Sequence, residues 1–147
     1  MTTTTAPATR KPAVKPAEYV LTALRVVSGF LFACHGAQGF GAFGGIDGQG
    51  TGVQFGMWPG WWASVIELVA GALVCTGLGT RAAAVLCSGT MAYAYFTVHQ
   101  PMGLLPLQNM GEPAALYAWI FLLIAVAGPG RRALGGLLGS GTSRWSR

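Results

Sequence analysis

Arg25 and Glu67 each stand inside an otherwise apolar run, and two histidines, His35 and His99, lie in or at the end of two others. A full charge at the centre of a hydrocarbon slab costs at least about 2–3 kcal/mol, so each such residue needs a partner or a task. Counted along the helices, Arg25 lies roughly 10 Å and Glu67 roughly 16 Å from the same membrane face. That difference is within an arginine's reach, and an Arg25–Glu67 ion pair is expected, as a structural bridge or as part of a site. His35 and Glu67 are the candidate catalytic residues, because imidazole and carboxylate are the groups that exchange protons near neutral pH. Gln38, His99, Asn109 and Glu112 form a polar cluster toward the same end as His35. Together these groups suit a shallow cavity for a small redox molecule, a proton or a metal ion, although no metal site is assigned. Ordinary interfacial placement and loop hydrogen bonding are the competing account.

Other motifs have sufficient local explanations. Gly39-Phe40-Gly41-Ala42-Phe43-Gly44 satisfies G-x-G-x-x-G, but no strand precedes it and no βαβ unit follows, so a dinucleotide site is not expected. Cys34, Cys75 and Cys87 lack C-x-x-C spacing and read as small packing residues. Leu31-Phe32-Ala33-Cys34 resembles a lipoprotein processing box, yet Arg25 interrupts the apolar run that such a signal requires. Glu112-Pro113 reads as a helix start, proline suiting the first turn and a carboxylate meeting the positive end of the dipole. Ser88, Ala92, Tyr95 and His99 fall on one helix stripe. A bis-histidine haem between His35 and His99 is not expected, since the two lie at unequal depths.

These residues need elements to hold them. The chain has 147 residues, 52% apolar and only 9% charged, with a mean hydropathy of +0.51. Soluble domains carry about 25% charge; 13 charged side chains cannot cover a water-facing surface of this size. Four apolar runs approach the roughly 17–25 residues that cross a bilayer: about 18–39, 61–78, 81–99 and 113–127. The last is the shortest. Gly77-Leu78-Gly79-Thr80 is too short for anything but a tight antiparallel connection. The segment from Gly39 through Gly60 holds nine glycines and no Lys or Arg, giving a loop or a partly re-entrant segment. The expected fold is an all-α integral membrane four-helix bundle over 18–133. A disordered tail precedes it over 1–17, and a basic tail follows over 134–147, whose glycines should break any helix, an amphipathic surface helix being the alternative there. Lys and Arg gather in both tails and at Arg81, which puts both termini in the cytoplasm. The net charge of +5 thus reports orientation, and no nucleic-acid partner is expected.

The order of several motifs resembles the DoxX family of small four-helix bacterial membrane proteins. They are Arg25…Phe32-Ala33-Cys34-His35-Gly36, Phe43-Gly44-Gly45, Glu67-Leu68-Val69-Ala70-Gly71, Gly77-Leu78-Gly79-Thr80-Arg81, Met91 with His99, Asn109-Met110-Gly111-Glu112 and Gly128-Pro129-Gly130. The chain departs from many relatives at Gln38, where they carry a lysine, and at Arg131-Arg132, where an acidic residue often stands. The resemblance implies a multi-pass protein of the bacterial plasma membrane, associated with quinol or thiosulfate:quinone redox systems and their membrane or periplasmic oxidoreductase partners. A quinone is the cofactor it suggests. No haem, flavin or iron–sulfur motif supplies an electron carrier, which weakens the redox reading; the alternative is a non-catalytic anchor or assembly subunit, favoured by the lack of any expected soluble domain.

Overall fold

A computed structural model of the chain describes residues 16–130 and 133–139. Most of the expected N-terminal tail, together with Arg131, Arg132 and the end of the basic tail, lies outside the described residues. The regular elements among them are all helical, with no strand. The helices are α1 (Pro16–Gly39), α2 (Gly60–Thr76), α3 (Thr80–Ala94), α4 (Glu112–Ala127) and a short α5 (Leu134–Gly139). Of these, α1 alone is both long and apolar enough to cross a membrane by itself; α2 and α4 are apolar but have 17 and 16 residues.

Close backbone approach pairs α1 with α2. A Cβ on Gly29 would lie 2.5 Å from the Cys75 amide nitrogen, one on Gly36 2.7 Å from the Ser64 carbonyl, and one on Gly71 2.7 Å from the Ala33 nitrogen. Small residues are what allow two helix backbones to meet this closely. The contacts also fix the antiparallel register: Gly29 lies opposite Gly71–Cys75 and Gly36 opposite Ser64–Leu68. His35 is therefore level with Glu67, and Arg25 with Gly77.

At the α2–α3 hairpin, Gly77 takes a left-handed conformation (φ 84°), and the amides of Gly77 and Leu78 both return to the Leu73 carbonyl. This glycine-ended cap terminates α2. Helix α3 then packs along α4, with Ser88 donating to the Ala118 carbonyl at 2.8 Å. One core joins all four long helices, built from Phe32, Ala70, Val74, Ala84, Cys87, Phe121 and Ile124. Phe32 meets Phe121 edge-on at 4.7 Å. The helix exteriors stay apolar: Val27, Phe30 and Val69 are exposed, as are Val85, Trp119 and Val126.

Two arginines cap helix ends at the hairpin side. Arg25 donates to the carbonyls of Val74 (2.6 Å) and Cys75 (2.5 Å), and Arg81 to those of Ala125 and Val126, both at 3.1 Å. The final carbonyls of a helix have no intrahelical donors and carry the negative end of its dipole, which is why a guanidinium settles there. This corrects the expected Arg25–Glu67 pair. Glu67 is seven residues from Val74, or roughly 10 Å along α2, and the register turns Arg25 toward the hairpin instead.

The chain after residue 133 also differs from expectation. Despite its glycines, Leu134–Gly139 forms α5, and the Gly135 amide lies 3.4 Å from the Gly77 carbonyl. Buried Ala133 packs beside Gly77. Tertiary contact with the hairpin, rather than propensity, supports this turn of helix.

Candidate functional site

At the end opposite the hairpin, a cavity of about 690 Å³ opens between the long helices and under the two longer loops. Its polar lining is His35 and Gln38 from α1, Ser64 and Glu67 from α2, and His99 from the end of α3. Tyr117 adds a phenol, and the rest is apolar and soft, including Phe32, Met91 and Met110. Its size falls within the range of about 300–1,000 Å³ typical of small-molecule sites, as does the mix of apolar walls and few polar groups.

Each polar group arrives by a distinct route. The α1–α2 register sets His35 level with Glu67, and the His35 ring faces the edge of Tyr117 at 6.2 Å. Gln38 has a second task, since its amide donates to the Gly45 carbonyl at 3.1 Å and ties the glycine-rich loop to α1. The hydroxyl of Ser64 is turned back on the Gly60 carbonyl.

His99 reaches the cavity through a break in helix geometry. From Tyr95 to His99, α3 widens into a π-helical turn. An extra residue in a turn rotates everything beyond it, and such turns recur at functional sites. The cavity face of α3 is Met91, Ala94 and Val98, and the π turn swings His99 onto it. The stripe read from sequence, Ser88–Ala92–Tyr95–His99, assumed an unbroken α-helix and is not the cavity face.

Asn109 is not a lining residue. It is buried, its amide donates to the Gly103 carbonyl at 2.8 Å, and its side-chain oxygen accepts from the Gly111 amide at 2.8 Å. These bonds close the 101–111 loop beneath the cavity. The Asn109 backbone carbonyl then lies 3.0 Å from His99 Nδ1. A carbonyl only accepts, so Nδ1 carries the proton, and Nε2 of the neutral ring is left as an acceptor. Glu112 also stands apart: it is the first residue of α4, behind Gly111 at the cap position, and it borders a groove between α1 and α4.

Of the expected site residues, the structure thus gathers His35, Gln38, Glu67 and His99, and separates Arg25, Asn109 and Glu112 from them. Tyr117 was missed by sequence reasoning. Its signal was available as the one phenol of α4, five residues beyond Glu112. The cysteines are all free, with Cys87 fully buried in the core. Among the described residues, no three His, Cys, Asp or Glu side chains converge as a metal site would require.

Comparison with known proteins carries the apolar helices and this cavity to a family. A protein of Haemophilus influenzae described as an "Uncharacterized protein" is 39% identical over 124 residues, covering 79% of this chain and 88% of that protein. No solved structure matches. The family model named DoxX matches residues 20–100, the stretch that holds α1, the glycine-rich loop, α2, α3 and the π turn bearing His99. With more than half its length matched, including His35, Glu67 and His99, the chain belongs to the membrane-associated DoxX family.

Proposed function

We propose that this chain is a four-span protein of the bacterial plasma membrane, with both termini cytoplasmic, whose cavity holds the head of a lipid-soluble quinone. The apolar exteriors of all four long helices support the membrane setting, since a patch of that extent on a water-soluble protein would be an aggregation site. The described basic residues Arg25 and Arg81 both serve the hairpin end, which agrees with a cytoplasmic hairpin; the cavity then opens toward the outer face.

The observation that carries the reading is the convergence of His35, Gln38, Glu67 and His99 on one largely apolar cavity. A quinone ring has two carbonyl acceptors on a flat apolar body, and those walls fit its faces. When bound it supplies two-electron, two-proton chemistry. The chain's own part is protonic. Gln38 can donate a hydrogen bond, and Glu67 and His35 can give or take a proton at the same level of the bilayer. His99, fixed by Asn109, presents Nε2 as an acceptor. The sequence has no motif for a haem, flavin or iron–sulfur carrier, so electrons would come from an oxidoreductase partner in or against the membrane.

The test is thermal unfolding of purified protein in detergent with and without a short-chain benzoquinone, in wild type, His35→Ala and Glu67→Gln. A ligand at 100 times its Kd stabilises by about 2.7 kcal/mol. Wild type should gain stability and both variants should lose most of the gain. An equal response in all three would remove the cavity reading. It would favour the second function, a membrane anchor or assembly subunit, for which the exposed loop residues Phe43, Ile46, Phe55, Leu104 and Leu107 offer an apolar docking face.

A further inference from the structure

Helices α1 and α4 are the least intimate of the neighbouring pairs. The face of α1 bearing Gly29 and Gly36 is drawn onto α2, which leaves its Leu24, Val27 and Leu31 standing off α4. The result is a groove of about 380 Å³ whose other wall is Leu116 and Ile120. Pro113 and Tyr117 line both this groove and the cavity, so the two share a boundary. Ser28, the one hydroxyl on the α1 wall, already donates its proton to the Leu24 carbonyl at 2.6 Å and has none left to donate to a ligand. From Leu24 to Leu31 the groove runs roughly 10 Å along α1.

We infer that this groove receives the isoprenoid tail of the quinone whose head occupies the cavity, with Tyr117 and Pro113 at the passage between them. The inference rests on the quinone reading above. Charge selects this occupant over a phospholipid. The cavity presents a carboxyl, two imidazoles, an amide, a hydroxyl and a phenol but no Lys or Arg, so no fixed positive charge compensates an anionic phosphate, whereas an uncharged ring bears no such penalty. Direction follows from the surroundings. The cavity's other end, at Ile46, Val53 and Met110, lies under the loops, while the groove opens along exposed Val27 and Leu116 on the helix exteriors. Beyond Glu112, which stands beside Pro113 at the loop end of the groove, a hydrocarbon tail leaving this way runs among the apolar side chains of Leu24, Val27, Leu31, Leu116 and Ile120.

The experiment is photolabelling of the full chain in lipid nanodiscs with a benzoquinone that carries a diazirine on a two-isoprene tail, followed by peptide mapping. Adducts should fall on Val27, Leu31, Leu116 and Ile120, and an excess of tailless benzoquinone should suppress them severalfold. Val27→Trp, which fills the groove, should reduce them likewise. Suppressible adducts at Ile46 or Val53 instead would overturn the groove while leaving the quinone reading intact. Groove adducts that the tailless competitor does not suppress would make it a lipid crevice and overturn the inference too. Absence of suppressible adducts anywhere, with no stabilisation of wild type by tailless benzoquinone, would sink the quinone reading and the groove with it.

Discussion

Arg25 and Glu67 should be nearly independent in stability, and a double-mutant cycle of Arg25→Met and Glu67→Gln measures this. Arg25 makes two bonds to α2 carbonyls, at 2.6 and 2.5 Å. Hydrogen bonds to a charged group are each worth about 1.5–3 kcal/mol, against which stands the desolvation of the guanidinium. Methionine keeps much of the volume but leaves the Cys75 carbonyl without that donor, so Arg25→Met should cost about 3 kcal/mol. Glu67 lies roughly 10 Å along the helix from where the guanidinium is anchored. At that separation two unit charges interact by about 1.7 kcal/mol at an effective dielectric of 20. Coupling in the cycle should therefore stay below about 1.7 kcal/mol. A direct buried pair behaves differently: removing either partner costs about 3–5 kcal/mol, and the second removal adds little. The assay is reversible unfolding in mixed micelles with increasing sodium dodecyl sulfate, followed by fluorescence of the five tryptophans. If Glu67→Gln alone costs as much as Arg25→Met, and the double variant no more than either, the capping account of Arg25 is wrong.

Three further outcomes follow from the same geometry. Gly36→Ala should destabilise by about 1–3 kcal/mol in that assay, because the new methyl meets α2 backbone and the helices must separate; Gly89→Ala, on open α3 surface, should be neutral or stabilising. Nitrogen-15 spectra of histidine-labelled protein at a pH where the ring is neutral should report His99 as the Nδ1–H tautomer, and an Nε2–H tautomer would remove the Asn109 anchor. In the glycine-rich loop, Asp47 accepts from the Gln49 and Thr51 amides, and the Thr51 hydroxyl, then the Gln49 amide, hold its carboxyl below the usual carboxylate value. A depressed folded value means the loop's stabilisation is complete above the ordinary carboxylate range and is lost as pH falls through the folded value. Amide exchange at Gln49 and Thr51 should accelerate on acidification, and Asp47→Asn should flatten that dependence.

Helices were legible where periodicity and breakers act locally. The apolar runs at 18–39, 61–78, 81–99 and 113–127 each hold a helix, and Gly77-Leu78-Gly79-Thr80 makes the tight turn its length dictates. What sequence could not supply was register. A depth count treats each run as starting at the same plane, so it set Arg25 near Glu67. The real alignment is decided by where Gly29, Gly36 and Gly71 let two backbones touch, and that shifts Arg25 to the hairpin and brings His35 to Glu67. The α5 segment was hidden for a related reason, since its support is the surface of another element.

The π turn carries the same point into the site. Read as an unbroken helix, α3 sends Tyr95 and His99 down one stripe and Met91, Ala94 and Val98 down another. One inserted residue moves His99 between them, and no propensity in Tyr95-Phe96-Thr97-Val98-His99 announces it. The compensation lies ten residues on, where Asn109 closes its loop and offers a carbonyl at the distance that the displaced imidazole needs. His99 is thus useful to the cavity only because two irregular segments agree: a helix that loses regular bonding and a loop whose buried asparagine replaces them. Deleting Thr97 removes the extra residue and should restore a regular α3 with His99 seven residues beyond Met91, still on the cavity face and within reach of the Asn109 carbonyl. If the Thr97 deletion instead loses both the Nδ1–H tautomer at His99 and the benzoquinone response while the helix stays intact, helix register does not control this site.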